Sequence, residues 1–218
     1  AVLPDDQSYD EVRAIWNATI DRRPAVIVQC AAADDVPSAI AFARENGLEI
    51  SIRGGGHNIA GNAVCDNGVT IDLSTMTNVR VDVQKRRAYV EPGATLGDFD
   101  KAAQAHGLAT PVGVNSTTGI AGLTLGGGFG WLTRKHGLTI DNLVSTEVIT
   151  ADGNKIRTSE TENADLFWAI RGGGGNFGVV TEFEFALHPV GPEILAGFIV
   201  FPLSQAKHVL TRYREFVE

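Results

Sequence analysis

The apolar and polar positions of this chain switch between a period of two and a helical period, and the switches are marked by turn residues. Ala25 to Gln29 is a β-branched run that predicts a strand. Asp34 and Asp35 then supply helix caps, Pro37 sits in the first turn, and apolar positions continue through Ala43 to a stop at Asn46-Gly47. Glu49 to Arg53 predicts the next strand, so the chain opens as β-α-β, for which a right-handed crossover is expected. Val69 to Leu73 resumes a β pattern, and Val79 to Val83 with Arg87 to Glu91 flank the charged turn Lys85-Arg86 as a hairpin. Thr95, with Asp98 three residues on, caps a helix predicted to end at His106-Gly107.

Leu143 to Thr150 predicts a strand ending in the turn Ala151-Asp152-Gly153-Asn154, and Asp165 to Ile170 a short helix. Val179 to Leu187 alternates Phe183 and Phe185 with Glu182 and Glu184, a half-buried strand whose two glutamates are expected on a solvated face and not as an acid/base pair. At the tail, Leu195 to Pro202 predicts a strand. Ser204 to Val217 puts Ala206, Val209, Leu210, Tyr213, Phe216 and Val217 on one helical face. Such a face needs a partner, so a further domain or an oligomer contact is expected there. No internal repeat, low-complexity stretch or long linker interrupts the pattern.

Composition narrows the function classes. With 218 residues the chain is one ordinary domain or two small ones. Its 18 basic against 26 acidic side chains give a net charge of -8, which argues against affinity for nucleic acid or anionic membrane. No apolar run approaches the ~18 residues of a membrane span. Cys30 and Cys65 are too few for a disulfide framework and too isolated for zinc, so buried thiols and no metal site are expected. Ala1 opens the chain without Met or a signal segment, which reads as a processed or excised piece, with a cytoplasmic location as the expectation.

Glycine changes the picture most. It makes up 25 of the 218 residues, and 18 of the 25 fall in three clusters, Gly54 to Gly68, Gly113 to Gly137 and Gly172 to Gly178. Consecutive glycines after a strand leave several backbone N–H groups free to meet one anion, so Arg53-Gly54-Gly55-Gly56-His57-Asn58 reads as a phosphate cradle with Arg53 as a neighbouring cation. A tight turn without a ligand is the plainer alternative. The segment Pro111 to Gly130 combines glycines with hydroxyls and would admit a flat ligand, although close helix packing explains it equally well. Neither standard nucleotide fingerprint is usable: no G-x-x-x-x-G-K-[ST] occurs, and Gly173 to Gly178 fits G-x-G-x-x-G but follows a helix and leads into a strand, so an NAD dehydrogenase is a weak reading.

Together, Ser51 to Asn58, Pro111 to Gly130, Gly137-Leu138-Thr139-Ile140-Asp141-Asn142-Leu143 and Asn176-Phe177-Gly178-Val179-Val180-Thr181 resemble the FAD-binding domain of the vanillyl-alcohol-oxidase superfamily. The nearest branch is the berberine-bridge-enzyme-like flavoproteins, and the resemblance covers nearly the whole chain. It implies an α+β, two-subdomain PCMH-type FAD-binding fold, with subdomains at about 1–78 and 79–192 clasping FAD, and with 193–218 starting a substrate-binding domain.

The resemblance also assigns residues. Arg53, Gly54, Gly55, Gly56 and Asn58 would wrap the FAD pyrophosphate, and His57 would be bonded to the flavin 8α-methyl, for which an imidazole nitrogen is a competent nucleophile. Pro111, Gly113, Thr117, Thr118, Gly119 and Gly122 would line the pyrophosphate and flavin, and Val180 would meet the adenine end through its backbone. Some members attach the flavin a second time through a cysteine where this chain has Asn115, so a bicovalent flavin is not expected, and Cys65 lies outside that motif. His106, His136, His188 and His208 are given structural roles.

The implied activity is hydride transfer from a small-molecule substrate to flavin N5, with dioxygen as acceptor and hydrogen peroxide as product. The catalytic acid or base is expected in the domain that follows, so this chain alone would turn over substrate poorly, and its tail would favour self-association. The rival reading is a non-catalytic flavin- or nucleotide-binding module or partner subunit.

Overall fold

The computed structural model describes residues 1–218 apart from Pro192, Ile194 and Ala196. In chain order the elements are α1 (Tyr9–Arg13), β1 (Val26–Gln29), α2 (Val36–Glu45), β2 (Ile50–Arg53), β3 (Val69–Asp72), β4 (Val79–Asp82), β5 (Arg87–Val90), α3 (Leu96–Gln104), β6 (Leu108–Ala109), α4 (Ile120–Leu125), α5 (Thr133–His136), β7 (Leu143–Ile149), β8 (Lys155–Ser159), α6 (Ala164–Gly173), β9 (Val179–Ala186), β10 (His188–Pro189) and α7 (Ala206–Val217).

Two sheets carry the fold. The first is parallel with order β1-β3-β2, so the expected β-α-β unit does not place its two strands side by side. Its centre is taken by β3, whose four residues Val69 to Asp72 are all buried, whereas β2 lies at an edge with Ile50 exposed. A strand buried on both faces favours apolar residues, which Val69 and Ile71 supply, while the buried Thr70 and Asp72 are satisfied by Ser51 and Arg53 of β2. The second sheet is antiparallel with order β4-β5-β9-β7-β8. A two-stranded ribbon pairs β10 with β6.

The core of the second sheet sets Phe183 and Phe185 against α3 and α6 through Phe99, Phe167 and Ile170. Phe99 meets Phe185 edge-on at 5.8 Å. The helix α3 starts where its sequence says: the Thr95 hydroxyl accepts from the Asp98 amide and the Asp98 carboxylate accepts from the Thr95 amide, satisfying two otherwise orphaned donors. The first sheet packs α2 through Ala39, Ile40 and Ala43, and Ile149 and Val179 of the second sheet join this same core. The two sheets thus share apolar contacts at one end.

Two expectations are corrected. Glu182 is exposed but Glu184 is not: it is 8% exposed and accepts from Ser145 Oγ at 2.5 Å and Arg157 Nη2 at 2.9 Å. Since β9 is central, its second face is crossed by polar side chains of β5, β7 and β8, and Glu184 satisfies them. In the expected strand Leu195 to Pro202, Ala196 lies outside the described residues and the described ones form no strand. Phe198, Ile199, Val200 and Leu203 are exposed there, and α7 forms as predicted. Cys30 and Cys65 are free, buried thiols, and burial pushes Cys30 up to about 11.

Candidate functional site

The glycine loop after β2 is held against three other segments. A Cβ on Gly55 would lie 2.5 Å from Gly119 Cα, and one on Gly119 would lie 2.5 Å from Gly55 N, so these loops touch backbone to backbone. A Cβ on Gly54 would meet the Pro92 carbonyl oxygen at 2.6 Å. Gly56 takes φ +69°, which only glycine adopts at low cost. Glycine at these positions is therefore required by contact as well as by conformation.

Among the described residues, no hydrogen bond uses the backbone N–H of Gly54, Gly55, Gly56, His57 or Asn58. Five successive donors without a protein acceptor form an anion-seeking surface. Gly54, Gly55 and Gly56 of this loop line a cleft of about 440 Å³ that Val12, Trp16, Ser74, Gly93 and Asp98 also line. Hydrogen bonds from the Thr95 side chain and backbone hold the Asp98 carboxyl below its ordinary range. Glu11 also lines the cleft, so attraction for an anion must come from amides and not from net charge.

Arg53 lines the cleft, but its charge is paired. Its Nε donates to Asp72 Oδ1 at 3.0 Å and its Nη2 to Asp72 Oδ2, while Nη1 donates to the carbonyls of Val12 and Ala14. The free cation expected beside a pyrophosphate is instead a strut joining β2, β3 and the segment after α1.

His57 is half-buried, with its ring stacked on Trp16 at 5.2 Å between centroids and 21° between planes. Asn58 is exposed and its Oδ1 accepts from the Asn62 amide at 3.0 Å. Thr117 is exposed and donates through both amide and hydroxyl to Asn115 Oδ1, and the Thr118 amide donates to the Asn115 carbonyl. The carbonyl of Thr118 in turn accepts from Leu96 N at 2.9 Å, tying this loop to α3.

Gly122 lies exposed on α4, with no atom within 4 Å of where its Cβ would be. Pro111 is buried, and a Cβ on Gly113 would meet the Leu123 and Leu96 side chains at 3.0 and 3.1 Å. Val180 is buried within the core of the second sheet. Arg53, Gly54, Gly55 and Gly56 share the cleft, and Gly119 joins them through Gly55; His57, Asn58, Pro111, Gly113, Thr117, Thr118, Gly122 and Val180 do not line it, although His57 stacks on Trp16, which does.

Sequence reasoning missed the segment after α1. Trp16 donates its amide to the Gly56 carbonyl at 3.1 Å, and Asn17 Nδ2 donates to the Ile59 carbonyl at 2.8 Å. The available signal was Trp16 itself, an aromatic in a stretch of mixed apolar and polar residues, which the fold leaves 58% exposed. A second missed cluster stacks His136 on His188 at 3.9 Å, with His188 Nε2 2.6 Å from Asn142 Oδ1. These features fit a phosphate-bearing cofactor: glycine cradle, idle amides and open space over Gly122.

Comparison with known proteins agrees. The family described as FAD binding domain matches residues 24–159. The chain is 42% identical over 203 residues to the (R)-6-hydroxynicotine oxidase of Paenarthrobacter nicotinovorans, covering 93% of this chain and 44% of that protein. The crystal structure of 6-hydroxy-D-nicotine oxidase from Arthrobacter nicotinovorans superposes with a TM-score of 0.92 at 41% identity, over 98% of this chain and 48% of that one. The glucooligosaccharide oxidase of Acremonium strictum, described with a 6-S-cysteinyl, 8α-N1-histidyl FAD, follows at a TM-score of 0.80 and 36% identity, over 84% of this chain and 39% of that one. The chain spans about half the length of the relatives it matches. On its motifs, its fold and these likenesses, the chain belongs to the FAD binding domain family of the vanillyl-alcohol-oxidase superfamily, with berberine-bridge-enzyme-like oxidases among its relatives.

Proposed function

We propose that this chain is the flavin-holding part of an FAD-dependent oxidoreductase, with a small-molecule substrate as hydride donor and dioxygen as acceptor. The observation that carries the reading is the run of five idle amides from Gly54 to Asn58, which includes the one histidine stacked beside the cleft. When bound, FAD supplies the redox chemistry, taking hydride at N5 and passing electrons on.

The protein's own work is binding and orientation. The 54–58 amides donate to pyrophosphate oxygens, which suits a site whose neighbouring carboxylates offer no attraction. The Thr118 hydroxyl adds a donor while Thr117 shapes its loop through Asn115, Gly119 lets that loop lie against Gly55, the bare face of Gly122 admits a flat ring, and the Val180 backbone meets the adenine end. His57 is the attachment point for the flavin 8α carbon. The histidyl link of the glucooligosaccharide oxidase supports that reading, and Asn115 in place of cysteine argues for a single link. Subdomains at about 1–78 and 79–192 would clasp the cofactor, and 193–218 would begin a substrate-binding domain, which accords with the exposed Phe198, Ile199 and Val200.

The test is a visible spectrum, acid precipitation, and peptide mass analysis around His57, in wild type and in His57→Ala. Yellow colour that stays with precipitated wild type, an FAD-sized adduct on the His57 peptide, and release of colour in His57→Ala are expected. Colour in the supernatant for both proteins would remove the covalent link and keep the binding. A colourless protein that excess FAD does not change would overturn the whole reading.

A further inference from the structure

We propose that Trp16 is the positioning residue for flavin attachment at His57, holding the imidazole plane for bond formation. The inference rests on His57 as attachment point and goes beyond it by assigning a role to the segment after α1. Among the described residues, neither ring nitrogen of His57 has a hydrogen-bonded partner, so nothing polar fixes the ring's rotation. What it does have is the Trp16 indole, 5.2 Å away and 21° from parallel. Stacking of this kind is attractive and selects a plane.

The indole is itself held. Before it in sequence, the carbonyls of Val12 and Ala14 accept from the buried Arg53 guanidinium. At Trp16 the amide donates to the Gly56 carbonyl at 3.1 Å, and after it Asn17 Nδ2 donates to the Ile59 carbonyl at 2.8 Å. The segment is therefore strapped to the glycine loop on both sides of the stacked pair, with Ile15 Cγ2 3.8 Å from where a Gly56 Cβ would lie. A tryptophan that stays 58% exposed adds little to the core, so its straps serve the loop it lies on and not global stability.

The step balances with the proposed acceptor. A bond forms between an imidazole nitrogen and the flavin 8α carbon, replacing the imidazole N–H and one 8α C–H. The two protons and the one electron pair released pass to the ring system, and dioxygen takes up the same two electrons and two protons to leave as hydrogen peroxide. An imidazole free to rotate reaches the productive geometry less often, and misplacement on the order of 1 Å costs about a hundredfold in such steps.

The experiment follows linkage in the full chain, prepared without flavin and mixed with FAD under air, by acid-stable flavin fluorescence against time and FAD concentration. Wild type, Trp16→Ala, Trp16→Phe and His57→Ala are compared. Trp16→Ala is expected to lower the limiting linkage rate at saturating FAD about ten- to a hundredfold, a fall that added FAD does not restore, and Trp16→Phe to recover most of the rate. A merely structural role would instead raise the half-saturating concentration or lower the melting temperature and leave the limiting rate at saturating FAD unchanged. Linked wild type with an unchanged Trp16→Ala rate overturns this proposal alone. Wild type that never links FAD, or His57→Ala that still does, overturns the attachment reading and this proposal with it.

Discussion

Arg53 and Asp72 face each other across the parallel pair β2 and β3 as register partners, joined at two points with the carboxylate fully buried. Burial pushes the Asp72 carboxyl up, but the Arg53 guanidinium and the Ser74 amide outweigh it and hold the group below its ordinary value. The pair fixes the strand end from which the glycine loop departs and, through the Val12 and Ala14 carbonyls, the segment carrying Trp16.

Replacing Asp72 by Asn strands a buried guanidinium, and a loss of about 3–5 kcal/mol in urea unfolding is expected. The pH dependence has a definite sign. A depressed carboxylate contributes stability that is present above its unfolded value of about 3.9 and is lost as pH falls through the lower folded value. Between the unfolded value and the lower folded one, the wild type should therefore lose stability more steeply with falling pH than Asp72→Asn. Equal slopes would mean that the pair does not link protonation to folding.

Glycine substitutions separate packing from binding. Gly55→Ala and Gly119→Ala drive a Cβ to 2.5 Å from opposing backbone and should each destabilise by about 1–3 kcal/mol, read as a lower melting temperature. Gly122→Ala meets no atom within 4 Å and adds helix propensity, so its melting temperature should hold or rise. Its FAD affinity, titrated by flavin fluorescence quenching, should still fall roughly tenfold, about 1.4 kcal/mol. Wild-type affinity in Gly122→Ala would place the flavin elsewhere.

The two glutamates of β9 should behave oppositely. Glu184→Ala removes the acceptor of Ser145 and Arg157 in a buried setting and should cost about 1.5–3 kcal/mol. Glu182→Ala, at an exposed position, should stay within about 0.5 kcal/mol of wild type. Chemical denaturation of the two variants side by side decides it.

Burial, with smaller contributions from His136 and Lys135, lowers the His188 imidazole from its ordinary value. The unfolded chain then takes up the proton first. Stability from this group is complete above about 6.5 and declines as pH drops through the window beneath it. Melting scans from neutral to mildly acidic pH should show that decline, and His188→Gln should flatten it. An identical decline in His188→Gln would assign the effect to other groups.

Much of the fold was legible because its signals are local. The helix starts at Val36 and Leu96, the hairpin of Val79 and Arg87, and the switch from α6 to β9 each follow from caps, turns and periodicity within a few residues. Glu184 was misjudged because alternation separates two faces of a strand without saying which is covered. The central place of β9 decides that, and it is a property of strands far away in sequence. Lys155 to Ser159 went unnoticed as a strand for a related reason: its five residues alternate weakly and gain their order by pairing with β7.

By itself, the sequence determined which backbone stretches are bare enough for close approach, where the histidine beside them stands, and that neither a Walker loop nor a dinucleotide fingerprint is present in working context. Only the tertiary structure decided that Gly55 and Gly119 meet, that the Arg53 charge is absorbed by Asp72, and that Trp16 covers His57. The physical reason is range: φ freedom and side-chain chemistry belong to each residue, but a hydrogen bond or stacking contact across some forty positions exists only once the sheets have brought those residues together.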